Sequence, residues 1–107
     1  MTLLKTITEY FSGLPPRSSK WPAVRAAHLK SNPRCAACGT QDKLEVHHIF
    51  PFHLHPELEL VGSNLVTLCE TGGNCHLMIG HLKNWKSYNL SVRKDAEVLL
   101  QKIKTRP

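Results

Sequence analysis

Four cysteines occur in two groups that could hold one metal ion. The first pair, Cys35 and Cys38, has the C-x2-C spacing typical of a zinc knuckle, and Cys69 and Cys75 form a wider pair after thirty intervening residues. Glycines inside the wider pair permit the tight turns that wrapping an ion demands. Four thiolates would fill a tetrahedral Zn²⁺ site completely, so the ion would stabilise the fold and offer no position to substrate. The pattern favours a structural zinc site over the alternative of disulfides or unliganded thiols.

Six of the seven histidines lie between His47 and His81, largely within the interval that the cysteines enclose. His47 and His48 are adjacent, and neighbouring residues of a strand point to opposite faces, so we expect the two to have different roles. One neutral imidazole can bind a metal ion, while another, with an unperturbed pKa of about 6.5, can accept a proton from water. Hydrolysis of a phosphodiester needs both functions, because a base generates the nucleophile and a cation offsets the charge that develops on the phosphate.

The order and spacing of these residues resemble those of the HNH endonuclease family. The matching segments are Cys35-x2-Cys38, LEVHHI at residues 44–49, NLVTLC at 64–69 and the pair Cys75-His76, and the likeness extends over about residues 21–85. The resemblance implies an α+β fold, with a small ββα-metal core stapled by a four-cysteine zinc site. It also implies metal-dependent hydrolysis of phosphodiester bonds in DNA, as nicking or as double-strand cleavage with 5′ phosphate products.

The resemblance implies a role for each residue of the motif. His48 corresponds to the general base, and Asn64 to the amide whose hydrogen bonds hold the loop that aims this base. His47 and His76 correspond to ligands of one catalytic divalent cation. Related sequences often have Asp where this chain has His47, so an oxygen ligand is replaced by nitrogen. The catalytic cation is therefore left open among Mg²⁺, Mn²⁺, Ni²⁺ and Zn²⁺.

The remaining histidines are weaker candidates. His81 follows His76 by five residues, whereas neighbours on one face of an α-helix are three or four apart, so a metal ligand and a surface or capping residue are equally compatible with its position. A bend at Gly80 would change that balance. His53 and His55 lie in a proline-flanked loop, where we expect them to be solvated or near the substrate, with a direct catalytic part as the alternative. His28 lies outside the cluster and is expected to be structural.

Hydrophobic periodicity and chain-breaking residues indicate the elements that position these side chains. The sequence predicts a helix at residues 2–11, a loop at 12–19, a second helix from Ser19 or Lys20 to before Pro33, strands at 44–49 and 64–68, a helix containing His76, and a last helix at 92–104. We therefore divide the chain into an N-terminal helix and linker (residues 1–19) and a nuclease domain with a C-terminal helix (residues 20–107). A chain of 107 residues has room for one core.

The charge and the polarity of the chain narrow the partners. A formal net charge of +6 favours an anionic partner such as DNA. No window approaches the roughly 20 apolar residues of a membrane span, and the first residues lack a secretory signal, so we expect a cytoplasmic protein without a membrane partner.

The aromatic residues Trp21, Trp85 and Tyr88 are expected in the core. For eight basic residues, two roles stay open, either binding phosphate or only solvating a face: Lys20, Arg25, Lys30, Arg34, Lys83, Lys86, Arg93 and Lys94.

Two other functions remain open at this point. The first is a zinc-stabilised nucleic-acid-binding module whose histidines are structural and which cleaves nothing. The second is an interaction or regulatory protein, which leaves both the basic charge and the order of the histidine motif unexplained. The sequence also leaves open whether the protein dimerises, and cleavage of both strands would need a homodimer or a second event.

Overall fold

The computed structural model describes residues 15–107, so the helix predicted at residues 2–11 lies outside the described residues. Two α-helices and two strands account for most of the regular structure: α1 (Trp21–Ser31), β1 (Leu44–His48), β2 (Leu65–Cys69) and α2 (Val92–Lys104). Single-turn 3-10 helices at Pro56–Leu58 and Gly62–Asn64 lie between the strands, and a π-helix at His76–Gly80 follows β2. The α+β fold class predicted from the sequence is confirmed.

Helix α1 begins and ends at residues that favour its boundaries. Pro22 lies in the first turn, where a missing N–H costs no hydrogen bond. At the other end, the backbone N–H and the side-chain amide of Asn32 both donate to the carbonyl of His28, at 2.8 and 3.1 Å, before Pro33 prevents continuation. The hydroxyl of Thr67 in β2 donates to the Asn32 carbonyl at 2.9 Å, which ties the end of α1 to the sheet.

The two strands form an antiparallel pair that carries the adjacent histidines. His47 is opposite Val66 and His48 is opposite Leu65. All five residues of β2 are buried, whereas β1 is buried only from Val46 onward. Strand β2 therefore forms the inner strand of the domain, and the end of β1 presents its histidines where β1 meets the following loop.

The hydrophobic core is small, and cysteines occupy much of it. Val92 and Ala96 of α2 pack into the core, at 0% and 1% exposure. The cluster of buried residues consists of Cys35, Ala37, Ile49, Val66, Leu68, Cys69, Cys75, Val92 and Ala96. Three of these nine residues are cysteines, so a third of the core side chains also carry thiols that could bind a metal ion.

The helix predicted after Cys75 is a π-helix, and its hydrogen bonds differ from those of an α-helix. The N–H of His81 donates to the carbonyl of His76 at 3.1 Å, a separation of five residues. Asn74 begins the turn, because its side-chain oxygen accepts the N–H of Leu77 at 3.2 Å. No helix in the described part of the chain is long and apolar enough to span a membrane.

Candidate metal centres and active site

The four cysteines predicted to form one site come together in the structure, and three of them belong to the core. Their sulfur atoms all lie within 4.8 Å of one another, and the sulfurs of Cys38 and Cys69 are 3.6 Å apart. All four are free cysteines. The backbone N–H of Cys38 donates to the sulfur of Cys35 at 3.5 Å, as expected for a tight knuckle turn. The predicted four-cysteine cluster is confirmed, and it could hold a metal ion.

Electrostatics inside this cluster also favour a bound cation. Burial raises the pKa of the Cys75 thiol, and the nearby Cys35 raises it further. Burial likewise raises the pKa of Cys38. Because three of the four thiols are buried and all four lie close together, their thiolates would repel one another and lose hydration, so the thiolate form of the whole set needs a cation at its centre.

Three imidazoles form a second cluster, and one of them, His76, directly follows Cys75 in the chain. The ring centroids of His47, His76 and His81 are 5.0, 4.8 and 4.9 Å apart in pairs, and their ligand atoms lie within 4.8 Å of one another. His47 comes from β1, His76 begins the π-helix, and His81 follows its last residue. The π-helical turn explains how residues five apart meet, because its hydrogen bonds join residues i and i+5.

The nitrogen atoms of this cluster are poorly satisfied by protein alone. His47 Nε2 and His76 Nδ1 are buried and have no hydrogen-bond partner among residues 15–107. The Glu70 carboxylate lies 3.9 Å from His76 Nδ1, beyond hydrogen-bonding distance. His81 Nδ1 lies 2.8 Å from the Ser87 carbonyl, so it must donate its proton there and leave Nε2 unprotonated. Orphaned nitrogens that converge in this way fit a metal ion.

Burial also keeps these imidazoles in the form that binds metal. Loss of hydration, followed by the neighbouring imidazoles, lowers the pKa of His47 to about 3. Burial lowers the pKa of His76 to about 4 and lowers that of His81 as well. The three side chains are therefore neutral at pH 7, and a neutral imidazole is the ligand form.

His48 has different neighbours from His47, as strand alternation predicts. Its Nε2 lies 2.9 Å from the backbone carbonyl of Glu59, so Nε2 carries a proton and Nδ1 is left with its lone pair. The Trp21 ring lies 4.6 Å from the imidazole. Burial lowers the pKa of His48, although the Glu59 carbonyl acts in the opposite direction. His48 is thus neutral and able to accept a proton at Nδ1.

Asn64 fastens the loop that follows β1. Its side-chain oxygen accepts the N–H of Phe50 at 2.7 Å, and its Nδ2 donates to the carbonyls of Phe50 and Leu58 at 3.1 and 3.2 Å. The side chain is buried, so these bonds face little competition from water. The loop in turn brings Glu59 to His48. This geometry is compatible with the orienting role predicted for Asn64.

A cavity of about 480 Å³ is lined both by His48 and by the cluster of His47, His76 and His81. Its walls come from the end of β1, the loop after β1, the π-helix region and the segment before α1. The lining residues are Pro15, Arg17, Val46, His47, His48, Pro51, Phe52, His53, His76, His81, Trp85 and Ser87. His53 therefore borders the cavity, whereas His55 and His28 do not. Among these lining residues of the described chain, Arg17 alone carries a permanent positive charge.

Several residues of this site were missed by the sequence analysis. Trp85 was expected in the core, but it is 48% exposed, and its ring lies 5.2 Å from that of His76 and 4.9 Å from that of His81. Gly80 lies against His47, because a Cβ there would be 3.1 Å from the imidazole Cε1. Glu59 contributes its backbone carbonyl, which contacts His48, and its carboxylate, which pairs with Arg17. The signal for Trp85 was its spacing, four residues after His81, and the signal for Gly80 was the bend that the sequence allows there.

The basic residues singled out from the sequence do not line this cavity. Arg25 pairs with Glu45 at 2.9 Å. The guanidinium of Arg93 donates to the carbonyls of Ser63 and Leu65, both at 3.1 Å, and so ties α2 to the start of β2. For Arg93 at least, a structural contact accounts for the side chain.

Comparison with known proteins agrees with the geometry. Residues 35–82 match the family model described as HNH endonuclease. No curated protein and no solved structure matches the chain. The matched segment contains both strands, the π-helix, the four-cysteine cluster and the three-histidine cluster, and α1 and α2 lie on either side of it. Residues 35–82 therefore resemble the HNH endonuclease family, and this matched segment contains most of the buried core.

Proposed function

We propose that this protein is a metal-dependent DNA endonuclease that hydrolyses phosphodiester bonds. The observation that carries the proposal is the shared cavity, where the neutral base His48 and the cluster of His47, His76 and His81 face the same space. The net charge of +6 supports a polyanionic substrate. The HNH family supports the nuclease chemistry.

His48 would act as the general base. Its Nδ1 accepts a proton from water while Nε2–H stays bonded to the Glu59 carbonyl, which stabilises the imidazolium that forms. The water oxygen bonds to phosphorus, the bond from phosphorus to the 3′ oxygen breaks, and the 3′ oxygen takes a proton from solvent. The products carry a 5′ phosphate and a 3′ hydroxyl. Asn64 would hold the loop that keeps the carbonyl and the imidazole in register.

The histidine cluster would hold the catalytic cation. A divalent cation bound there supplies positive charge that stabilises the phosphoryl and leaving oxygens. His47, His76 and His81 provide nitrogen donors only, which favours Zn²⁺, Ni²⁺ or Mn²⁺ over Mg²⁺. Three protein donors leave a coordination position for substrate, as catalytic sites require.

The cysteine cluster would hold a structural Zn²⁺ ion. Its four thiolates fill a tetrahedral site and match the preference of zinc for sulfur. Because Cys75 and His76 are adjacent, the structural ion would also fix the start of the π-helix, where His76 would bind the catalytic cation. We therefore expect two metal ions per chain, with separate functions.

Cleavage of supercoiled plasmid tests the proposed function. Wild-type protein, His48→Ala and the control His55→Ala are each assayed with Mg²⁺, Mn²⁺, Ni²⁺, Zn²⁺ or excess chelator. His55 is a suitable control because it pairs with Glu57 outside the cavity. We expect metal-dependent nicking by wild type and by the control, and a rate lower by roughly 10²–10⁴ in His48→Ala.

The other outcomes of this assay discriminate among the candidate functions. Full metal-dependent cleavage by His48→Ala would show that another group is the base. Intact plasmid in every lane, together with retained binding to DNA, would favour the non-catalytic nucleic-acid-binding module. Direct appearance of linear plasmid, without a nicked intermediate, would indicate two sites acting together.

A further inference from the structure

We propose that Arg17 binds the phosphate of the substrate in the histidine cavity, an inference that rests on the proposed function. Arg17 lies four residues before α1, in the segment assigned to a linker from the sequence. In the structure its side chain lines the same cavity as His48 and the three-histidine cluster. The other described residues of the wall present neutral imidazoles, aromatic rings and uncharged groups, so an entering phosphodiester would meet a protein counter-charge at Arg17.

The Arg17 guanidinium is held in place before any substrate arrives. Its Nη1 lies 3.4 Å from the Glu59 carboxylate, and its central carbon lies 4.3 Å from the centre of the Phe52 ring and 5.8 Å from that of Trp21. Stacking of this kind fixes the plane of the guanidinium. The contact with Glu59 uses one terminal nitrogen, and the side chain is 49% exposed, so N–H donors remain for a phosphate oxygen.

Glu59 links Arg17 to the base. Its carboxylate accepts the backbone N–H of Ser18 at 3.0 Å and pairs with Arg17, while its own backbone carbonyl accepts the proton on His48 Nε2. The Glu59 side chain is only 5% exposed, which is unusual for a carboxylate without a strong structural reason. A single buried residue therefore fixes the distance between the water-activating imidazole and the guanidinium that would hold the phosphate.

The electrostatics predict when Arg17 matters most. With a divalent cation bound to His47, His76 and His81, the cation and Arg17 would share the phosphate charge. In chelator, Arg17 supplies the only permanent positive charge on the wall formed by the described residues. Binding measured without a divalent cation at the histidines therefore isolates its contribution.

The test compares Arg17→Ala with Arg25→Ala, a matched control. Arg25 is also ion-paired and part-exposed, but it contacts Glu45 and lies outside the cavity. Binding of a short fluorescent DNA duplex is followed by anisotropy over a range of salt concentrations, with a mild chelator that leaves the cysteine-bound zinc in place. We expect Arg17→Ala to weaken binding about tenfold more than the control and to reduce the salt slope by about one phosphate contact.

Cleavage assays add a second readout and a second variant. We expect Arg17→Ala to lower kcat/KM by about ten- to a hundredfold through both kcat and KM. Arg17→Lys should keep the salt slope but recover only part of kcat, because an ammonium lacks the planar pair of donors. Equal binding by Arg17→Ala and Arg25→Ala, or equal kcat/KM in a cleaving protein, would overturn the proposal and leave the nuclease function standing. If wild type cleaves nothing with any cation, the nuclease function fails, and the binding comparison alone decides whether Arg17 is a phosphate ligand.

Discussion

The two clusters have similar sizes but opposite surroundings. In each, the ligand atoms lie within 4.8 Å of one another. The cysteine cluster has four donors and three of its members are core residues, whereas the histidine cluster has three donors and borders a cavity. The adjacent residues Cys75 and His76 join one cluster to the other. Donor number and access to solvent therefore distinguish the site that we propose to be structural from the one that we propose to be catalytic, although one short segment of chain serves both.

The largest effect should come from removing one cysteine. Cys69 is fully buried at the end of β2, and structural zinc sites contribute apparent binding free energies of about 10–16 kcal/mol. We expect Cys69→Ser to lose bound zinc, cooperative thermal unfolding and catalytic activity together. Circular dichroism and metal analysis measure these effects. A variant that lacks zinc but unfolds at the wild-type temperature would show that the cysteine cluster does not stabilise the fold.

A smaller and more selective effect should follow loss of a histidine ligand. His81→Ala removes one of three nitrogens outside the core, so we expect the fold to persist while the protein retains one metal ion per chain instead of two. Cleavage should fall by roughly a hundredfold or more. The control is His28→Ala, which removes a part-buried histidine outside the cavity. Two ions per chain in His81→Ala, with normal cleavage, would assign His81 to the surface or capping role that its sequence position allowed.

Gly80 offers a way to disturb the histidine cluster without touching a ligand. A Cβ at this position would lie 3.1 Å from His47 Cε1 and 3.1 Å from Leu68 Cδ1, so the imidazole must shift by a few tenths of an ångström. We expect Gly80→Ala to lower cation affinity and kcat by about tenfold, because displaced ligands lose metal geometry. Isothermal titration with Ni²⁺ and plasmid cleavage measure both quantities.

Gly62→Ala is the matched control for this glycine, because nothing lies within 4 Å of a Cβ built there. Its cation affinity and kcat should stay at wild-type values. Equal cation affinity in the two variants would mean that close packing of Gly80 on His47 is not needed for metal binding.

The motif residues could be predicted from the sequence because their spacing is local and chemically specific. The C-x2-C pair, the adjacent histidines and the Cys75-His76 pair indicated both clusters. The bounds of α2 and, to within a residue, of both strands followed from hydrophobic periodicity. These elements depend on short-range pattern, which a sequence displays directly.

The rest of the site depends on contacts that periodicity does not encode. His81 joins the cluster only because the turn after Cys75 is π-helical, whereas α-helical spacing placed it off the face of His76. Arg17 and Glu59 are separated by 42 positions, and nothing local to either predicts their pairing. Trp85 is a large aromatic residue of the kind usually found in a core. It follows two positive-φ residues, Leu82 and Lys83, and its ring lies against that of His76.

The two tryptophans provide the smallest but most local test of the comparison between clusters. Trp85 lies 4.9 Å from the His81 ring, whereas Trp21 packs against His48 at 4.6 Å. Ni²⁺ bound by the histidine cluster should quench Trp85 more strongly than Trp21, because quenching by a transition metal falls steeply with distance. In a zinc-loaded protein, Trp21→Phe should keep most of the quenching and Trp85→Phe should lose most of it.

Two outcomes would contradict this assignment. Quenching that is lost in Trp21→Phe would place the added ion on the His48 side of the cavity. Quenching that is abolished by Cys69→Ser, in a protein that still folds, would place it at the cysteines. Quenching of Trp85 but not of Trp21 in the zinc-loaded protein would show that the histidine cluster binds the added cation while the cysteine cluster is already filled.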